Sequence, residues 1–386
     1  MSQAGRTPPN LAVLSAASAL LAAAVGASYA YVDLSLNRFG LSATAIGMNA
    51  AMPALGWLLA TPLMPWALRR FNPKGLLLGL LAVAMIASSG FPTSTDPGIW
   101  MVLRFLFGGC AGMVFRLVEY WINAASSESH RARNVGIYAT AFCAGAMTGA
   151  AIVPAVGLEG WPPVVLMLAL TLAAAVVFAM LRDAPPAIDA VPRLYWRHCG
   201  YSGTAFVAIF GALVWGLFEA VPYTLMPVYA VRVGLAEDWA AWTASAFLLG
   251  ALMFPVPLGL AADRFGKMKV VTINAVAAMA IPLILPQVTH APVALLVVMV
   301  LWGGFSGSLY TVPLAMLADR FKGAELAGAN AVFGTLYALG NLCGPPLHGL
   351  AMDWRDPQGL MASAALLFAL FLGIALRHSW RAGGRQ

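Results

Sequence analysis

RFLFGGCAGMVFRLVEYW, residues 104–121, is apolar enough for a helix in lipid, yet it holds Arg104, Arg116 and Glu119. A full charge at mid-bilayer costs about 2.5–3.5 kcal/mol on insertion scales, so such residues persist only where they avoid hydrocarbon. The rest of the chain shows that hydrocarbon is the right frame. Of 386 residues, 61% are hydrophobic and 10% charged, against roughly 45–50% and 25% in soluble domains. No soluble core hides that much apolar surface.

The apolar residues come in runs of roughly 18–28, close to the ~20 that a helical crossing needs. Without a period-2 alternation these runs exclude a barrel, the other structure that satisfies its backbone in lipid. Twelve crossings are expected, centred near residues 24, 54, 83, 111, 146, 171, 216, 249, 280, 305, 338 and 368. The first run reads as a retained helix rather than a removed leader.

Charge sets an expected orientation. With Met1 cytoplasmic, seventeen Lys/Arg fall on that side, Arg38, Arg232 and Arg355 fall opposite, and Arg104 and Arg116 complete the 22. This is the positive-inside pattern, with both termini cytoplasmic in an inner-membrane, multi-pass protein. The net +7 is then explained by solvated loops beside anionic lipid, and no nucleic-acid partner is expected. Cys110, Cys143, Cys199 and Cys343 are scattered without pairing or ligand spacing, and His348 is alone. No metal site, disulfide framework or cofactor is expected.

The chain is written twice. At an offset of 194, Tyr29, Arg38, Gly40, Gly56 and Arg70 fall on Tyr223, Arg232, Gly234, Gly250 and Arg264. At 195, Gly108, Gly109, Gly112, Gly145 and Gly149 fall on Gly303, Gly304, Gly307, Gly340 and Gly344. Two parallel six-helix repeats place a solute site near mid-membrane. The expected division is an N-terminal bundle over 1–182, a cytoplasmic linker over 183–200 and a C-terminal bundle over 201–386. The fold class is all-α and polytopic.

These residues carry a family resemblance over essentially the whole chain. GLAADRFGKMK (259–269) resembles the cytoplasmic loop signature of the major facilitator superfamily. LRFLFGGCAG (103–112) resembles that superfamily's fourth-helix motif, and GNLCGPPLHG (340–349) its G-x-x-x-G-P element, here in the eleventh helix. FRLVEYWINAASSESHRARNVGIYATAF (115–142) and TLMPVYAVRVGLA (224–236) are most similar to the YcaD-like branch. The resemblance implies a gate at Gly259, Asp263, Arg264 and Gly266, with Asp263 holding Arg264 or a neighbouring helix end in the outward-open state and releasing it as the cytoplasmic side opens. The first-half copy, PLMPWALRRFNPKG (62–75), has Arg69 where Asp is expected.

The resemblance also implies that crossings 1, 4, 7 and 10 line the central cavity. Asp33, Arg104, Arg116, Glu119 and Glu219 lie on three of those four. They are therefore expected to face water rather than lipid, Asp33 near the outer end of its helix. At about 100° per residue, Arg104, Arg116 and Glu119 share one sector of the fourth helix. Arg116 and Glu119, three residues apart, are placed to neutralise each other in part. A plainer alternative has the pair only locking neighbouring helices, with Gly108 and Gly112 serving close packing.

Trp215, Glu219 and Tyr223 form an i, i+4, i+8 stripe, and Tyr29 and Asp33 an i, i+4 pair. A carboxyl in a partly dry site is suited to exchanging protons. Glu219, then Glu119, are the expected proton carriers. Arg104, Arg116, Asp33, Tyr29, Trp215, Tyr223, Tyr310 and Thr311 are the expected solute contacts. The expected activity is proton-coupled secondary transport of a small organic solute by alternating access, by a monomer with protons, solute and lipid as its partners. Drug/proton efflux and a non-transporting assembly or sensor role are the alternatives. No catalytic residues are expected, since neither H-E-x-x-H nor G-x-S-x-G occurs.

Overall fold

A computed structural model describes residues 11–126, 130–181 and 203–383; the expected linker 183–200 lies outside them. Among the described residues there is no strand. The long helices are α1 (Leu11–Arg38), α2 (Ala43–Ala60), α4 (Pro73–Ser89), α5 (Pro97–Ala125), α6 (Arg131–Val156) and α7 (Pro162–Ala179). They continue with α8 (Thr204–Glu219), α9 (Val221–Arg232), α10 (Glu237–Met253), α11 (Pro255–Phe265), α12 (Lys267–Val288), α13 (Pro292–Arg320), α14 (Gly323–Trp354) and α15 (Gly359–Gly383). A short α3 (Met64–Arg70) precedes α4.

Eleven helical stretches among the described residues are long and apolar enough to cross a membrane. The remaining expected crossing, the eleventh, falls on α14. Its 32 residues exceed what a bilayer needs, but Asn341, Pro345, Pro346 and His348 dilute its hydropathy. Two crossings are broken helices. The seventh is α8 followed by α9, parted at Ala220, because Pro222 has no N–H to give the Phe218 carbonyl and its ring crowds that oxygen. The eighth is α10 followed by α11, parted at Phe254 ahead of Pro255.

Local chemistry sets several helix ends. Asp96 accepts from the N–H groups of Gly98 and Ile99 with Pro97 at the first helical position, which starts α5. Asn72 does the same for Lys74 at the start of α4. The Lys74 ammonium donates to the Ala179 and Leu181 carbonyls, tying off the end of α7.

The chain divides into two compact units. The first comprises Met1–Phe39 and Met52–Asp189, the second Gly40–Ala51 and Ala190–Gln386. α2 thus contributes its beginning to the second unit and its end to the first.

Each unit is seamed by glycine, and the seams follow the repeat register. In the first unit, Gly145 and Gly149 of α6 lie on the Ala19 and Ala23 carbonyls of α1 so closely that a Cβ would overlap them. In the second, Gly340 and Gly344 of α14 lie on the Leu213 and Leu217 carbonyls of α8. Gly56 meets Phe105 and Gly109 just as Gly250 meets Val300 and Gly304. Every pair is shifted by 194 or 195. Close backbone approach of this kind is how helices associate where lipid removes the hydrophobic drive.

Large apolar side chains such as Leu59, Ile86, Val102, Leu172, Ile273 and Leu366 point outward. That surface is suited to hydrocarbon. The first unit's interior is closed by Leu81, Leu117, Trp121 and Phe178. The second carries a ring cluster of Phe218, Phe247, Trp302 and Phe368.

Candidate functional site

In the first unit, α1 and α5 bring Asp33 and Arg104 together. Both oxygens of Asp33 accept from the Arg104 guanidinium, Oδ1 from Nη1 and Oδ2 from Nη2 at 3.1 Å. The side chains are 0% and 1% exposed. Tyr29, one turn before Asp33, lies with its ring 4.8 Å from the guanidinium carbon. From sequence, Asp33 and Arg104 are expected to face water and Tyr29 to contact solute. The structure instead buries the pair, and Asp33 does not reach solvent at the end of its helix. Burial favours this outcome because each charge supplies the other's counter-charge and a fork-to-fork hydrogen-bond geometry.

Arg116 is different. It is exposed, and its guanidinium lies 4.7 Å from the centre of the Trp57 ring. The spacing of α5 explains the seat. Gly108 receives Pro53, and a Cβ on Gly112 would come within 3.0 Å of the Trp57 side chain. Arg116 is the next residue along that i, i+4 stripe. Glu119 is also exposed, and no ion pair links it to Arg116 among the described residues. The expected mutual neutralisation is not made, because Trp57 holds the cation by its ring face. Asn123 donates to the Glu119 carbonyl at 2.9 Å.

In the second unit, Glu219 is the last residue of α8, beside the break at Ala220. Its Oε2 accepts from the Tyr337 hydroxyl and, at 3.1 Å, from the Asn341 amide, both on α14. The Tyr337 ring packs 5.5 Å from Tyr310 of α13, which also meets Phe333 at 5.2 Å. Glu219, Tyr337, Asn341 and Tyr310 therefore form one polar and aromatic cluster. Trp215 is buried against Phe218, and Tyr223 lies edge-on to Phe247. Thr311 is exposed, its hydroxyl 3.5 Å from the Ser308 carbonyl.

The gate residues lie on α11 and at its end. Gly259 and Asp263 are on α11, and Asp263 and Arg264 are exposed. Gly266 ends α11 with φ +96°, a left-handed turn that favours glycine. Among the described residues Asp263 forms no ion pair, and Arg264 lies by the Phe265 ring. An ion pair in this region joins Lys267 to Asp319, at 2.6 Å between the start of α12 and the end of α13.

Trp57, Tyr337 and Asn341 were not expected from sequence. Tyr337 and Asn341 are four residues apart beside Gly340 and Gly344, so a polar stripe along the eleventh crossing is the signal that points to them. Among the described residues no group of His, Cys, Asp or Glu is arranged to hold a metal.

Comparison with known proteins agrees with this architecture. The family model described as Major Facilitator Superfamily matches residues 11–241 and 204–382. The uncharacterised MFS-type transporter YfkF of Bacillus subtilis (strain 168) is 27% identical over 353 residues, 89% of each chain. The uncharacterised MFS-type transporter YcaD of Escherichia coli O139:H28 (strain E24377A / ETEC) is 24% identical over 375 residues, 93% of each. The nucleoside transporter NupG superposes with a TM-score of 0.76 at 13% identity, covering 97% of this chain and 98% of that one. A D-xylose-proton symporter gives 0.74 at 16%, covering 95% and 96%. At such identities the solved structures speak for the fold alone. Two glycine-seamed six-helix repeats, a multi-pass apolar exterior and a family match over both halves lead to one conclusion: the chain belongs to the major facilitator superfamily of transporters.

Proposed function

We propose that this chain is a proton-coupled secondary transporter of a small anionic or zwitterionic organic solute. It works by alternating access as a monomer in a bacterial-type inner membrane, with both termini cytoplasmic. The observation that carries the reading is Glu219. A carboxyl inside a membrane crossing, at a helix break and held by Tyr337 and Asn341, can lose and regain a proton without losing its place. That a D-xylose-proton symporter shares this fold supports proton coupling as one of its capacities.

The solute's charge is read from Arg116. Arg104 is already neutralised by Asp33, so it positions α1 against α5. Arg116 keeps its donor edges open because Trp57 occupies only a face. Glu119, exposed one turn on, supplies the opposite charge for a zwitterion.

The test is a thermal-shift screen of the purified protein against carboxylates, phosphates and zwitterions at pH 6 and pH 8. A solute at 100 times its Kd stabilises by about 2.7 kcal/mol through linkage. Hits should be anionic or zwitterionic, pH-dependent in the wild type, and pH-independent in Glu219→Gln. Exclusively cationic or neutral hits overturn the charge assignment. A pH dependence untouched by Glu219→Gln overturns the coupling assignment.

A further inference from the structure

Asp353 lies near the end of α14, yet its carboxylate serves another helix. Within the second unit, Oδ1 accepts from the Ala43 N–H at 2.7 Å. Oδ2 accepts from the Thr44 N–H at 2.8 Å and the Thr44 hydroxyl at 2.6 Å. Ala43 and Thr44 are the first two residues of α2, 310 and 309 positions away in the chain. Their amides are the groups that a helix start leaves without partners, and the positive end of the helix draws a carboxylate there.

Comparison of the repeats shows that this arrangement is particular to α2. The residue matching Ala43 at an offset of 194 is Glu237, and α10 begins with Glu237 and Asp238 in its own first turn. α2 has no acidic residue in its first turn. The residue matching Asp353 at an offset of 195 is Leu158. One helix start thus carries its own negative charge, and the other borrows one from α14.

Two further features bear on whether that loan is permanent. The Ser42 hydroxyl accepts from the Ala45 N–H at 3.2 Å, so α2 keeps a local cap when Asp353 withdraws. The surrounding contacts include close backbone approaches: Gly47 lies on the Pro345 carbonyl and Gly349 on the Ala43 carbonyl. Arg232 steadies the acid from the other side. It pairs with Asp356 at 2.9 Å, lies 3.9 Å from Asp353 and donates to the Leu41 carbonyl at 3.2 Å. Asp353 is 26% exposed, so water can replace either partner as the contact opens.

From this geometry we infer that Asp353 is a reversible latch on the start of α2, and that its release is a conformational step of the protein. α2 is one continuous helix whose beginning belongs to the second unit and whose end belongs to the first. Any motion that carries the start of α2 away from α14 has to open this bond. The local Ser42 cap lets it open without unwinding the helix.

The experiment needs no solute, so its outcome is independent of the transport reading. Hydrogen exchange at the 43–46 amides of the purified full-length protein reports the cap itself. In Asp353→Ala it should accelerate about 5- to 30-fold, the ratio corresponding to a lost N-cap of ~1–2 kcal/mol. Thr44→Val, which removes only the hydroxyl bond, should give a smaller rise. Asp353→Asn, which keeps one acceptor and the side-chain shape, guards against a failure of the alanine variant to fold.

A second readout separates a latch from a fixed cap. Ile46 is fully buried; Ile46→Cys in a background with the native cysteines replaced is labelled with a membrane-impermeant maleimide in right-side-out and inside-out vesicles. Labelling from one side should rise severalfold when Asp353→Ala is added, and less with Asp353→Asn. Faster exchange with unchanged labelling from both sides means a static cap and overturns the proposal. So does unchanged exchange.

Discussion

Removing either partner of the Asp33–Arg104 pair should destabilise the first unit far more than removing both. The side chains are 0% and 1% exposed, so no water takes over the hydrogen bonds when one is cut. Stranding a buried charge in this way costs about 3–5 kcal/mol. For a unit of this size that corresponds to a fall in Tm of about 6–20 °C, at roughly 2–4 °C per kcal/mol. Replacing both by apolar residues of similar volume removes the stranded charge and is often neutral or stabilising. The chain itself contains such a replacement. At the repeat offsets, Asp33 corresponds to Pro227 and Arg104 to Met299, and both are buried in the second unit. Asp33→Leu and Arg104→Met should each unfold early in detergent-solubilised thermal scans, whereas the double variant should recover most of the loss. If the double variant melts as low as the worse single, the two residues do not act as a mutually compensating pair, and the packing role given to Arg104 is wrong.

Arg116→Lys keeps the charge but loses the planar group over Trp57; stabilisation by any anionic solute found in the screen should weaken about 3- to 30-fold, equivalent to ~0.6–2 kcal/mol. Tyr337→Phe removes a donor to Glu219, so the pH at which proton release from reconstituted protein is half-maximal should move, and an unmoved midpoint would separate Tyr337 from coupling. Lys267→Gln breaks an ion pair whose side chains are 22% and 63% exposed, so its effect on stability, read by thermal scan, should stay below about 1 kcal/mol. Gly149→Leu and Gly344→Leu each drive a side chain into a facing carbonyl; each should cost ~1–3 kcal/mol, visible as reduced yield of folded monomer in detergent, and near-wild-type yield from either would refute the seam.

The fold was legible because its determinants are local and periodic. Apolar run length, basic loop asymmetry and glycine register are properties of the chain itself, and the 194/195 offsets return as the seams of both units. The break in the seventh crossing was not anticipated: the expected i, i+4, i+8 stripe of Trp215, Glu219 and Tyr223 runs across it, although Pro222 is the residue that causes it. The site was less legible, because whether a charge meets water, lipid or a counter-charge depends on rotation and partner. Helical wheels put Asp33 and Arg104 on promising faces without showing that those faces meet. Arg116 and Glu119 have pairing distance in sequence, yet Trp57, 59 residues upstream of Arg116 (116 − 57), claims the cation. Tyr337 and Asn341 were hidden because hydroxyl and amide side chains attract no attention until a carboxylate is placed beside them.

The glycine seams also bear on how this chain can change over generations. When two side chains fill a gap, a larger one can be matched by a smaller one opposite, and the position drifts through compensated pairs. At the positions of Asp33 and Arg104 the second half carries the apolar Pro227 and Met299. A seam made of Gly149 against the Ala23 carbonyl, or Gly344 against that of Leu217, offers no such exchange. A carbonyl cannot shrink, and glycine has nothing left to give up. Mutational paths through those positions are therefore closed, while the polar groups between them are open to revision. A duplicated bundle of this construction can acquire new solute chemistry in either half without renegotiating the scaffold that holds it.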